Sequence, residues 1–184
     1  MGWMTDRSDV QGRRKLRTRR AIARTEVGAA LVEAAIVIPL LLMFVFGVVD
    51  FGAIYSNRTA VNQGVRDSAR QGVVANFGSN TGCTTTGSTA TGNTQKLICL
   101  TKERVGLNSA KTRVRVVAPT TYAVGQQVLV CVEYPIDPIT PLTGQFISAD
   151  AIRSKAVMRV EQTSTTGLST AGETAITSDW SWCA

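Results

Sequence analysis

Gly28 and Glu33 are the two residues of this 184-residue chain whose types and spacing most suggest chemistry. Glu33 is the one charged residue between Gly28 and Val49 and lies near the start of an apolar run. A carboxylate deep in a bilayer costs about 2.5–3.5 kcal/mol and usually persists only beside a partner. We therefore expect Glu33 to have a partner group if it lies within a bilayer. The alternative is an interfacial acid that the helix dipole favours.

Four cysteines, Cys83, Cys99, Cys131 and Cys183, all follow the apolar run. Their even number, in a chain without histidine, predicts two disulfides rather than a zinc site. Joining Cys83 to Cys99 would close a loop of about 15 residues and contribute about 3 kcal/mol. Strand alternation turns Cys131 away from the predicted core, towards a surface that the tail with Cys183 could cross. These arguments favour Cys83–Cys99 and Cys131–Cys183, but sequence alone cannot choose among the three possible pairings. Four buried free thiols are the alternative.

The charge distribution argues against a nucleic-acid partner. Of the formal charge of +7, residues 1–28 carry +5, from eight basic and three acidic residues, so the rest of the chain carries +2. Such an excess beside an apolar run is typical of a flank retained in the cytoplasm. The absence of histidine and of a recognisable nucleophile motif predicts no catalytic, cofactor or metal site.

The apolar run predicts one membrane-spanning helix. Residues 34–49 carry no charge, and residues 29–55 are long enough to cross about 30 Å of hydrocarbon at about 1.5 Å per residue. We expect a basic cytoplasmic leader over residues 1–28, flexible or removable, with the carboxyl terminus on the opposite side. Pro39 predicts a bend in the helix. Asp50 falls at the outer boundary, where contact with headgroups or water would explain it.

The helix should continue out of the membrane to about Ala75 with one apolar stripe. The stripe is formed by Ile54, Val61, Val65 and Val73.

A small α+β domain is predicted over residues 56–162. A short helix fits Gln95 to Val105, and three segments alternate with a period of two, which favours an antiparallel sheet of three or four strands. The three segments are Thr112 to Val117, Gln127 to Tyr134 and Ala156 to Glu161. The proline-containing stretch 135–150 predicts a long surface connection. Residues 163–184 would be a Ser/Thr-rich tail, docked by Trp180, Trp182 and Cys183.

The motifs of residues 28–161 resemble the TadE-like family of tight-adherence (Flp, type IVb-like) pilus proteins. The resembling elements are Glu33, Pro39, Asp50-Phe51-Gly52, Ala69-Arg70-Gln71-Gly72, VCVEYP at 130–135 and AVMRVE at 156–161. Ala34 stands where Flp-type proteins usually carry an aromatic residue.

This resemblance implies a pilin-like fold and a prepilin signal. A prepilin peptidase would cut between Gly28 and Ala29, and Glu33 would be the assembly glutamate. It also implies a minor pilin or pseudopilin of the inner membrane with an extracytoplasmic domain, acting at the tip or in priming or assembly. Its partners would be the peptidase, other pilus subunits and the inner-membrane assembly platform. The alternative is a single-pass anchored binding domain that never enters a pilus.

Overall fold

The computed structural model describes residues 8–140, 151–177 and 179–184, with the backbone alone for residues 8–27. The chain divides into two compact units, Met1–Gly47 and Val48–Ala184. The predicted α+β class is confirmed: one long apolar helix near the amino terminus is followed by a short helix and a four-stranded antiparallel sheet.

Helix α1 runs from Ser8 to Val73 and begins well before the predicted start at Ala29. The structure thus gives residues 8–27 a helical backbone, and the removable leader over residues 1–28 stays a prediction. Residues 8–27 have no proline and six arginines, and arginine favours helix about as strongly as leucine does. Pro39 lies inside α1, and the bend there stays a prediction.

The apolar part of α1 is exposed in the first unit. Leu31 is 66% and Phe44 71% exposed, and none of the most apolar 18-residue window is buried by protein. Among the described residues this is the one helix long and apolar enough to cross a membrane, with a mean hydropathy of 2.6 in that window. The apolar helix thus suggests membrane anchoring.

In the second unit the carboxyl-terminal part of α1 contributes a buried stripe formed by Val61, Val65, Ala69 and Val73. Three of these residues belong to the predicted stripe, and Ile54 is half-buried. Helix α2 spans Gly92–Val105, slightly longer than predicted. It ends at Gly106, whose left-handed φ of 66° lets its N–H bond to the carbonyl of Lys102.

The sheet has the strand order β3-β2-β1-β4, and each neighbouring pair is antiparallel. Its strands are β1 Arg113–Val117, β2 Gln127–Pro135, β3 Ala151–Arg159 and β4 Ala171–Gly172. Strand β3 begins before the predicted Ala156, because the alternation already starts with buried Ile152 and exposed Arg153. Strand β4 was not predicted, since two residues cannot show a period.

One face of the sheet forms the main core with both helices. Val114 and Val116 of β1 and the valines at 128, 130 and 132 of β2 are fully buried in it. Residues 136–140 of the predicted connection are described, and residues 141–150 lie outside the described part of the chain.

Gly64 allows α1 and the end of α2 to touch. A Cβ placed on Gly64 would lie 2.6 Å from the Cα of Val105, closer than real Cβ atoms come to other atoms. Gly52, on the same helix, has nothing within 4 Å of such a Cβ. These two glycines therefore differ in packing while sharing a helical backbone.

Gly64→Ala should destabilise the second unit by about 1–3 kcal/mol, because an added methyl group would force the helices apart. Gly52→Ala is the control and should stabilise the helix by about 0.5–1 kcal/mol or leave it unchanged. Thermal unfolding in detergent, followed by near-ultraviolet circular dichroism, measures both. Equal melting temperatures for the two variants would contradict the close helix contact.

Candidate functional site

The amino-terminal end of the apolar run is fully open. Gly28, Ala29 and Glu33 are all exposed on α1, and a Cβ on Gly28 would meet nothing within 4 Å. The fold of this chain therefore gives no packing reason for a glycine at position 28. Because glycine weakens a helix by about 0.5–1 kcal/mol relative to alanine, the bond after Gly28 is a favourable place for local unwinding.

Asp50 has a role that the sequence did not indicate. Its side chain is 1% exposed and accepts hydrogen bonds from the N–H groups of Ile139 and Thr140, at 3.0 and 3.1 Å. The Thr140 hydroxyl donates to the other carboxylate oxygen. The expectation that Asp50 contacts headgroups or water is therefore wrong, because its carboxylate is occupied by the start of the β2–β3 connection.

The four cysteines form two disulfides, Cys83–Cys99 and Cys131–Cys183. Their Cα atoms are 5.4 and 6.0 Å apart, within the usual range. The first bridge joins the Gly/Thr-rich segment to α2. The second joins β2 to the end of the tail, on the face of the sheet opposite the main core. There Cys131 and Cys183 are buried with Leu129 and Trp180.

Glu133 organises the tail on that same face. It is fully buried, two residues after Cys131, and accepts hydrogen bonds from the Ile176 N–H at 2.8 Å and the Trp182 indole N–H at 2.9 Å. The Thr177 hydroxyl also donates to it, and Arg153 lies 3.3 Å away. One indication of this position was available in the sequence. In an alternating strand, residues 131 and 133 lie on the same face, so Glu133 should share the environment of Cys131.

Glu173 and Lys102 form a buried ion pair, with 2.8 Å between Oε1 and Nζ. Glu173 also accepts the N–H groups of Thr86 and Val114, at 2.8 and 2.9 Å. Lys102 donates further to the carbonyl groups of Thr84 and Ser109. Burial lowers the pKa of Lys102, and the Glu173 carboxylate opposes that shift. The pair fixes α2, β1 and the tail to one another.

These polar clusters pair their buried groups with one another and with the backbone. Every buried side-chain nitrogen or oxygen atom in the described part of the chain has a hydrogen-bond partner. Within those residues, no group of three or more His, Cys, Asp or Glu side chains could hold a metal ion.

Comparison with known proteins agrees with the resemblance seen in the sequence. Residues 28–70 match the family model of TadE-like protein, which covers Gly28, Glu33, Pro39 and Asp50. No curated protein and no solved structure was found to match the chain. The TadE-like segment suggests a Tad pilus-associated protein, and this family is structural and not known for enzymatic activity.

Lys102→Met should destabilise the second unit by about 3–5 kcal/mol, because it leaves the buried Glu173 carboxylate without its counter-charge. Adding Glu173→Gln to this variant should recover part of the loss, since the amide keeps an acceptor and carries no charge. Denaturant unfolding measures both variants.

Lys111→Met is the matched control, since it removes an exposed partner of Asp137. Exposed pairs contribute little to stability, so this change should shift the unfolding midpoint very little. A loss in Lys102→Met no larger than in Lys111→Met would refute the structural role of the buried pair.

Proposed function

We propose that this protein is a minor pilin or pseudopilin of a tight-adherence pilus, anchored in the inner membrane with residues 56–184 outside the cytoplasm. The family match over residues 28–70 carries the proposal. It begins at the glycine expected to precede the cleavage site. The exposed apolar helix and the basic residues before it support the orientation.

The proposed processing step is hydrolysis of the peptide bond between Gly28 and Ala29 by a prepilin peptidase. It would remove the basic leader and leave Ala29 with a free α-amino group. Glu33, exposed and close to this new terminus, would then meet the α-amino group of a neighbouring subunit as the apolar helices pack together. An ion pair is the condition under which a carboxylate is tolerated at that depth.

The second unit supports a structural role at the tip, in priming or in assembly. Two disulfides and two buried carboxylate clusters stabilise a small domain. Disulfides persist in an oxidising compartment outside the cytoplasm, which agrees with the proposed orientation.

Gly28→Val should abolish or strongly slow processing when the protein is co-expressed with a prepilin peptidase, because a side chain would block close approach of the backbone to the protease. Gly47→Val is the matched control, since Gly47 also has open space around a Cβ and lies away from the proposed cleavage site. Amino-terminal sequencing and mass spectrometry of membrane-extracted protein measure the outcome.

A mature terminus at Ala29 in the unaltered protein and in Gly47→Val is expected. An intact 184-residue chain in the presence of an active peptidase would favour the anchored binding domain instead. Cleavage at another bond would also refute the assignment.

Glu33→Ala should separate insertion from assembly. Membrane insertion should be unchanged or easier, because a costly charge is removed, whereas co-purification with other pilus components should be lost. Glu26→Ala is the control, since Glu26 would leave with the leader. Membrane fractionation followed by affinity purification tests this, and normal co-purification of the Glu33→Ala protein would leave Glu33 without its proposed role.

A further inference from the structure

We propose that the start of the β2–β3 connection rests on the outer surface of the lipid bilayer and inserts Ile139 among the headgroups. This inference rests on the proposed insertion of residues 29–55 as a membrane-spanning helix. It adds a second membrane contact, made by the sheet domain itself.

Hydrogen bonds to Asp50 set the position of this connection along the axis of α1. Its buried carboxylate accepts the N–H groups of Ile139 and Thr140, so the backbone of residues 139–140 lies within hydrogen-bond distance of a side chain on α1. Ile139 lies four residues after Pro135, the last residue of β2. The start of the connection therefore lies beside residue 50 of α1.

Residue 50 is also where the apolar run ends. Asp50 is the first charged residue after Glu33, and residues 29–49 would extend about 30 Å as a helix, the thickness of the hydrocarbon core. If this segment spans the bilayer, Asp50 and the connection bound to it lie at the headgroup level.

The residues at this level carry exposed apolar side chains. Ile139 is 68%, Phe51 70% and Tyr55 74% exposed. Phe51 and Tyr55 are four residues apart and lie on one side of α1. Aromatic residues are enriched at membrane interfaces, and Phe51 and Tyr55 follow the exposed Val48 and Val49 along α1.

The charge near the connection does not oppose contact with anionic lipid. Two carboxylates lie near Ile139. That of Asp50 is buried and accepts hydrogen bonds from residues 139 and 140, and that of Asp137 is paired with the amino group of Lys111. The lysine offsets the negative charge at the place where the chain would approach the headgroups. A lipid surface is thus the occupant that fits best, because apolar side chains, interfacial aromatics and balanced charge occur together at the end of the span.

Photo-crosslinking of the full chain tests the proposal. The photoreactive residue p-benzoyl-phenylalanine would replace Ile139, Phe44 or Val124 in separate proteins, each reconstituted in phosphatidylethanolamine–phosphatidylglycerol vesicles. Val124 is 62% exposed and lies in the β1–β2 connection, at the opposite end of β2. Phe44 lies in the proposed span. Mass spectrometry after illumination counts lipid adducts.

Position 139 should give at least about tenfold more lipid adduct than position 124, because interfacial segments enter the bilayer by about 5–10 Å while a nine-residue strand separates the two loops by about 30 Å. Adducts at position 44, with position 139 no higher than position 124, would overturn this inference and leave the membrane anchor intact. Crosslinking of position 139 mainly to a second copy of the chain would overturn it as well. No lipid adduct at position 44 would refute both the anchor and the inference.

Variants of Asp50 test how the connection is held. In Asp50→Ala the adduct at position 139 should fall several-fold while the adduct at position 44 stays unchanged, because the N–H groups of Ile139 and Thr140 lose their acceptor. Asp50→Asn keeps one carbonyl oxygen and should retain most of the adduct. Unchanged adduct at position 139 in Asp50→Ala would refute the positioning role. Intact disulfides in peptide maps would show that each variant is folded.

Discussion

Strand β2 is buried on both of its faces, so the sheet needs a cover opposite the two helices. Helices α1 and α2 bury the face that carries Val128, Val130 and Val132. The other face carries Leu129, Cys131 and Glu133, and the tail covers it. Because the tail is rich in Thr and Ser, apolar burial alone would hold it weakly. A disulfide, two tryptophans and a buried carboxylate hold it instead.

Buried carboxylates connect the irregular segments of this domain. Glu133 accepts the backbone N–H of Ile176 in the tail, and Asp50 accepts two from the β2–β3 connection. Glu173 accepts the backbone N–H of Thr86 and that of Val114, and so links an irregular segment to β1. Hydrogen bonds to a charged acceptor are stronger than bonds between neutral groups. A short chain with many loops can thus remain ordered with a small apolar core. This requires that each buried carboxylate keeps the N–H and O–H groups that donate to it.

The two units obey different physical constraints. The described residues of the second unit form their own apolar core, and each of their buried side-chain nitrogen and oxygen atoms has a hydrogen-bond partner. Within the described chain, the large apolar side chains between residues 31 and 45 are exposed rather than covered by protein. An exposed apolar helix of this length suggests membrane anchoring. The first unit thus contains an apolar segment suited to membrane anchoring, and the second unit contains the folded domain. The TadE-like match, which begins at residue 28, is consistent with this division.

Local patterns in the sequence determined the long apolar helix, the buried stripe with Val61 and Val65, and the alternating strands. Such patterns are visible because each follows from the geometry of one helix or strand. The tertiary structure alone decided the partners of Asp50, Glu133 and Glu173. The hydrogen-bond partners of these carboxylates lie 43 to 90 residues away along the chain, as with Glu133 and Ile176 or Asp50 and Thr140. No local period records such a distance, because it depends on how the sheet and the tail come together.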